Sequence, residues 1–266
     1  MGGRKRTMKI FSFVGSQAGE KSRTARFSDM VAEKLKARAA EQGETVEYER
    51  LTGADLHLEF CLSCNSCFFK SACPLDVRDD MPLLKQKMLE ADVIFFCSPV
   101  YAGSMSATAK AVIDRLSYWT HREELAGKTA AVLVTTSGNH GKETVAEIAD
   151  TIQYMGVSLA YGGFVNTSAR PNLYLEEDME PVTDQICDAV TECLKDPVKY
   201  IVPKQNMTYY YFSRTYHKQK LVSDLIGTEP SLEVRICEER NLMQYKNLQE
   251  YVKALIEKKR AGQAGP

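Results

Sequence analysis

Four of the eight cysteines, Cys61, Cys64, Cys67 and Cys73, fall in one stretch, CLSCNSCFFKSACPLDVRDDM, residues 61–81. Their order is C-x2-C-x2-C-x5-C, with a proline after the last. Thiols three residues apart on a tight loop can turn toward one point. A 4Fe–4S cluster takes four such thiolates, and ferredoxin runs open with the same C-x2-C-x2-C spacing. The gap before the final Cys-Pro is longer than theirs. Zinc is a second reading, although zinc sites more often pair two separated C-x2-C units. A disulfide and a loop of reduced thiols are the others, and the spacing leaves all of them open.

Three more stretches could bind a ligand. GSQAGEKSRT, 15–24, offers the Ser16, Ser22 and Thr24 hydroxyls, the cations Lys21 and Arg23, and backbone N–H groups opening a helix. That set suits a phosphate. It is neither a Walker loop nor a G-x-G-x-x-G fingerprint. SPVYAGSMSATAK, 98–110, supplies small residues, Tyr101 and several hydroxyls, and its backbone could lie along a flat ring. TTSGNHGKE, 135–143, has two glycines that let backbone approach a ligand closely. Each has a plainer reading as a capping loop or turn. Tyr101 or His140 could donate a proton, and His140 also reads as a solvated loop histidine. Cys97 reads as core packing. Cys187, Cys193 and Cys237 show no metal spacing and read as inert. Asp79-Asp80 reads as a helix cap rather than a catalytic carboxylate pair.

The elements that position these residues are short apolar strands at 8–14, 45–51, 92–97, 128–135 and 157–165. Helical patterns follow at 22–42, 82–90, 106–119, 144–154 and 176–194. This alternation predicts an α/β fold with a parallel sheet and helices on both faces. Ligands of such sheets bind outside the carboxyl ends of the strands, where the three loops fall. Residues 8–197 form the expected core domain. Residues 198–266 are expected as an extension, either a lid or a dimer contact. Within it, 204–220 carries five aromatics and no acid, and 247–260 suits an amphipathic helix.

Composition excludes little else. The chain has 266 residues, 44% hydrophobic and 26% charged, with a net charge of −1. This is ordinary for a globular protein and argues against nucleic acid or an anionic membrane as partner. The sign is uneven, with 12 Lys and Arg against 7 Asp and Glu from Lys199 onward. Lys204, Arg214, Lys218 and Lys220 beside the YYYF run could stack bases, but the overall charge outweighs that reading. No apolar run reaches the length of a membrane span, and MGGRKRTM is followed by no signal-peptide core. A cytoplasmic, reducing location is expected, which favours metal or redox roles for clustered thiols.

Taken together, GSQAGEKSRT, the block ending CPLDVRDDM, and ADVIFFCSPVYAGSMSATAKAVIDR with its Lys110 and Asp114-Arg115 resemble the flavodoxin-like NAD(P)H-dependent FMN reductases, close to the iron–sulfur flavoproteins. The resemblance covers about residues 8–195. It implies a three-layer sandwich with a five-stranded parallel sheet of order 2-1-3-4-5 and FMN at the strand ends. Ser16, Ser22 and Thr24, with Arg23 beside them, would hold the FMN phosphate. Pro99, Val100, Tyr101, Ala102, Gly103 and Ser104 would line the isoalloxazine. Thr136, Ser137, Gly138 and Gly141 would complete the ring and ribityl contacts. NAD(P)H is the implied co-substrate, and the implied assembly is a homodimer or tetramer. The family's usual Pro-Arg after the first Gly-Ser is Gln17-Ala18 here. The expected function is an oxidoreductase passing electrons from a nicotinamide through flavin to a small acceptor such as a quinone, flavin or electrophile, with the cysteines holding a cluster on the way. The alternative is an electron carrier or redox sensor acting on a protein partner.

Overall fold

The computed structural model describes residues 7–167 and 175–262. Strands β1 (Thr7–Val14), β2 (Thr45–Thr52), β3 (Val93–Tyr101), β4 (Ser104–Met105), β5 (Thr129–Thr136) and β6 (Ser158–Asn166) alternate with α1 (Arg23–Glu41), α2 (Ser66–Lys70), α3 (Met81–Glu90), α4 (Ala107–Arg115), α5 (Gly141–Gln153) and α6 (Leu175–Lys195). Helices α7 (Pro203–Ile226), α8 (Leu232–Glu239) and α9 (Leu248–Arg260) follow.

The main sheet runs β2-β1-β3-β5-β6, with every pair parallel. This is the expected five-stranded order, because β4 is a two-residue strand folded back antiparallel on the end of β3. Both faces of the sheet are covered, so its central strands read as unbroken apolar runs. Their side chains still alternate between two cores. Val93, Phe95 and Cys97 pack with Phe27, Val31 and Ile186 on the α1 and α6 side. Ile94 and Phe96 pack with Met88, Val112, Trp119 and Ile148 on the other.

The helical pattern expected at 106–119 divides at Arg115, and a tight 3-10 turn occupies Ser117–His121. The aromatic and basic segment is one long helix, α7, started by Pro203 at its first position. It meets α8 and α9 over a third core of Tyr209, Tyr216, Val234, Cys237, Leu248 and Tyr251. Buried Gln205 ties this unit to the sheet domain by donating to the Gln153 and Val157 carbonyls at 2.8 and 3.0 Å. Among the described residues, no helix is long and apolar enough to cross a membrane.

Candidate functional site

The register sets Val14 beside Thr52 and Cys97, and Pro99 beside Thr135, so the loops after β1, β3 and β5 leave the sheet at one rim. The first loop is tied to its neighbours. Gly15 N–H donates to the Cys97 carbonyl at 2.8 Å, and the Ser106 hydroxyl donates to the Gly15 carbonyl. A Cβ on Gly15 would lie 2.7 Å from Ala109 Cβ, so this approach to α4 needs glycine. Gln17 Nε2 donates to Thr108 Oγ1 at 3.0 Å. Arg23 Nη1 donates to the Thr167 carbonyl beyond β6 at 2.9 Å. Thr24 and Thr135 share a buried hydroxyl contact of 2.6 Å. Ser22 caps α1 by accepting from Ala25 N–H, and Ser16 accepts from Ala18 N–H. The three hydroxyls singled out in the sequence are thus buried, Ser16 and Ser22 bonded within their own loop and Thr24 across to β5.

The second loop is a hairpin. Tyr101 pairs with Ser104 across Ala102 and Gly103, both left-handed at φ 50° and 84°. Two such residues make the tight turn whose twist suits a β-hairpin, and a non-glycine there is uncommon. Pro99 is buried, Val100 half-buried and Tyr101 57% exposed. Ser104 Oγ donates to Glu147 of α5 at 2.6 Å. His140, also left-handed, stands before α5 with its ring against the turn, 3.5 Å from where a Gly103 Cβ would be. The two proton-donor candidates therefore share one lip. Thr136 Oγ1 donates to the Asn139 carbonyl and accepts from Gly138 N–H. Ser137 and Gly138 are exposed, and a Cβ on Gly138 would meet nothing within 4 Å. Gly141 is pressed against the Phe164 ring, which a Cβ would strike at 2.4 Å.

The cysteines belong to the long connection between β2 and α3. Cys61 and Cys64 are exposed, and Cys67 and Cys73 half-buried. All four line one cleft of about 40 Å³ with Leu75 and Arg115. Among the described residues, no three His, Cys, Asp or Glu are drawn close enough to hold a metal ion. The thiols face a common space without being closed around a point. The hydrogen bond between Cys64 and the Ser66 hydroxyl holds the Cys64 thiol below its ordinary value, and burial pushes Cys67 up. By contrast, burial drives Cys97 and Cys237 to about 12, and Cys187 and Cys193 to about 11, as inert thiols should be.

Two buried guanidiniums hold this connection. Arg115 donates to the Glu59 carbonyl before the first cysteine, and to Asp76 and Asp79 after the last. Arg122 donates to the Cys67 carbonyl at 2.9 Å and to Glu233 of α8 at 2.6 Å, above the Tyr118 ring. Asp80 stands at the N-cap of α3 with Pro82 in the first turn, as the cap reading of Asp79-Asp80 expects, although its own side chain makes no capping bond. Asp79 accepts from Met81 N–H, but its fully buried carboxylate chiefly faces Arg115. The Asp80 carboxylate accepts instead from His57 N–H at 2.7 Å. Sequence reasoning missed Arg122 altogether, and Gln17 entered only as a departure. Their partners are 55 and 91 residues away, and no local pattern signals them.

A parallel sheet of this order, with three loops converging at the carboxyl ends, defines a flavodoxin-like α/β protein. The sequence profile of the NADPH-dependent FMN reductases matches residues 8–170, and the chain belongs to that family of flavin oxidoreductases. It is similar to an iron–sulfur flavoprotein of Methanocaldococcus jannaschii, 37% identical over 141 residues covering 53% of this chain and 68% of that one. It is also similar to an iron–sulfur flavoprotein of Methanosarcina thermophila, 30% identical over 49% of this chain and 71% of that one. Among solved structures, RosB with bound 8-demethyl-8-formylriboflavin-5'-phosphate superposes with a TM-score of 0.51 at 15% identity, covering 71% of this chain and 81% of that one. A flavone reductase gives 0.50 at 18% identity over 71% and 64%. These two likenesses show the fold alone. The rim fits the family's FMN: it combines hydroxyls, a cation and opening helix N–H groups with open space over Gly138.

Proposed function

We propose that this chain is an FMN-dependent NAD(P)H oxidoreductase that delivers electrons to a small acceptor, with the cysteine block as a second redox centre. The observation that carries the reading is the set of cross-loop bonds at one rim: Ser106 to Gly15, Gln17 to Thr108, Thr24 to Thr135 and Arg23 to Thr167. They tie the three loops to one another at that rim. FMN, when bound, supplies the hydride and single-electron chemistry. Ser16, Ser22, Arg23, Thr24 and the N–H groups opening α1 hold a phosphate. Pro99 to Ser104 present an edge of small residues to a flat ring, and Thr136, Ser137, Gly138 and Gly141 cover its other side. Tyr101 and His140, on the exposed lip, are placed to move a proton to an acceptor arriving from solvent. Cys61, Cys64, Cys67 and Cys73 supply the four thiolates of an iron–sulfur cluster, a reading supported by the relatives that carry that name.

The test is direct. Purified protein should take up one FMN per chain, and NADPH should bleach the flavin band. A colourless protein that refuses FMN would sink the reading. Anaerobic purification should add iron and sulfide in equal amounts, and Cys64→Ser should lose the iron while keeping the flavin. A second reading, electron transfer to a protein partner, is favoured by the exposed Phe60, Leu62 and Phe69 beside the exposed thiols. Steady NADPH oxidation with a quinone or free flavin supports the first reading, and tight FMN without such turnover the second.

A further inference from the structure

The Arg115 guanidinium carries five N–H donors in a fixed fork, and four of them are spent. Nη1 donates to the Glu59 carbonyl at 3.0 Å and to Asp79 Oδ2. Nη2 donates to Asp76 Oδ1 at 2.7 Å and to Asp79 Oδ1 at 3.3 Å. The fifth donor, Nε–H, is buried and has no partner. Five buried side-chain nitrogen and oxygen atoms are in that state among the described residues, and only this one belongs to a residue lining the cleft of the four thiols. A buried donor left unpaired is costly, so its place calls for a ligand or a reason. Cys73, the last of the four cysteines, lies within electrostatic reach of the same guanidinium.

We infer that the Arg115 Nε–H is held for anionic sulfur in this cleft, a cysteine thiolate or a sulfide of the cluster. The inference rests on the cluster reading of Cys61, Cys64, Cys67 and Cys73, and adds to it a donor that the thiols do not supply. Hydrogen bonds to the sulfurs help set the potential of such a centre. Reduction adds negative charge to the sulfurs, so an N–H already fixed beside them favours the reduced form without reorganising. The fixing is visible: Glu59 precedes the first cysteine, Asp76 and Asp79 follow the last, and all three grip the guanidinium. Net charge does not explain the effect. Arg115 is balanced by Asp79, Lys85 pairs with Asp76, and Asp114, which also lines the cleft, pairs with Lys110. Arg122 serves a different end, because its bonds go to the Cys67 carbonyl and to Glu233 and leave no buried nitrogen unpartnered.

The experiment uses the full chain purified anaerobically, with iron and sulfide assayed first. Arg115→Lys keeps the charge facing Asp79 and removes the Nε–H. Its equilibrium constant for one-electron reduction of the cluster, read by redox titration, should fall about tenfold, or about 59 mV, with iron and flavin content unchanged. Protein grown on 15N-arginine should show, by pulsed EPR of the reduced centre, a nitrogen coupling that the variant loses; a merely structural Arg115 gives no such coupling. Arg115→Gln with Asp79→Asn removes both charges of the buried pair together and carries the test should Arg115→Lys fail to fold. A wild type without iron and sulfide overturns the cluster reading and this inference with it. A wild type that holds its cluster, with a potential and a nitrogen coupling that the folded variant leaves unchanged, overturns this inference alone.

Discussion

The flavin rim and the cysteine block are both loops attached to the same sheet, and they are held in opposite ways. The rim is short, backed by strand ends, and locked by bonds between buried hydroxyls and backbone carbonyls. The block is a long connection with one short helix inside it, held to the core by Arg115 and Arg122 together with its buried Leu75. Long connections with little regular structure are commonly functional. The contrast separates a rim locked between strand ends from a loop whose four sulfurs share one cleft without closing on a point.

The comparison breaks most visibly at Arg115. Its side chain is 1% exposed and that of Asp79 0%, so Arg115→Met strands a buried carboxylate. A loss of about 3–5 kcal/mol in urea unfolding is expected, with the exposed thiols becoming more reactive and FMN affinity falling less. The pair also gives a pH signature. Burial alone would raise Asp79, but the hydrogen bond from Arg115 holds it below the ordinary carboxylate range. Its contribution to stability is complete above the unfolded value of about 4 and is lost as the pH falls through the lower folded value. Thiol exposure should therefore rise in acid before the flavin is released. Release of the flavin first would reverse the contrast drawn here.

At the rim, Gly15→Ala places a methyl 2.7 Å from Ala109 and 2.8 Å from the Ser106 hydroxyl. A cost of about 1–3 kcal/mol, and a loss of FMN affinity larger than the loss of stability, should appear in a flavin titration. Thr24→Val leaves the Thr135 hydroxyl buried without its partner, and about 1–2 kcal/mol of stability should go with it. Smallest is Ser66→Ala. Removing its hydrogen bond with Cys64 raises that thiol, so alkylation of Cys64 at neutral pH should slow a few-fold, as read by mass spectrometry of the labelled peptide.

The sheet was legible because its strands are buried on both faces and appear as apolar runs such as Val93–Cys97. The rim loops were legible through their glycines, hydroxyls and helix starts. What escaped was whatever depended on distant partners. The Ala102–Gly103 hairpin hides because β4 is only two residues long, too short for a strand pattern. Helix α7 hides because apolar residues on both faces erase the periodicity that marks an amphipathic helix. Arg115 appeared as half of an Asp-Arg motif, yet its role depends on Glu59, Asp76 and Asp79, all more than 35 residues away.

Arg122 joins the Cys67 carbonyl to Glu233 of α8 within a single side chain. Around it, the Phe68 ring meets His121 at 5.0 Å, and His121 meets Phe212 of α7 at 4.5 Å. The sulfur-bearing loop is thus joined to the appended helices as well as to the sheet domain, where Cys67 and Phe68 pack against the core. One guanidinium and three rings, in edge-on and tilted contact, therefore form a continuous bridge from the cysteine loop to α7 and α8.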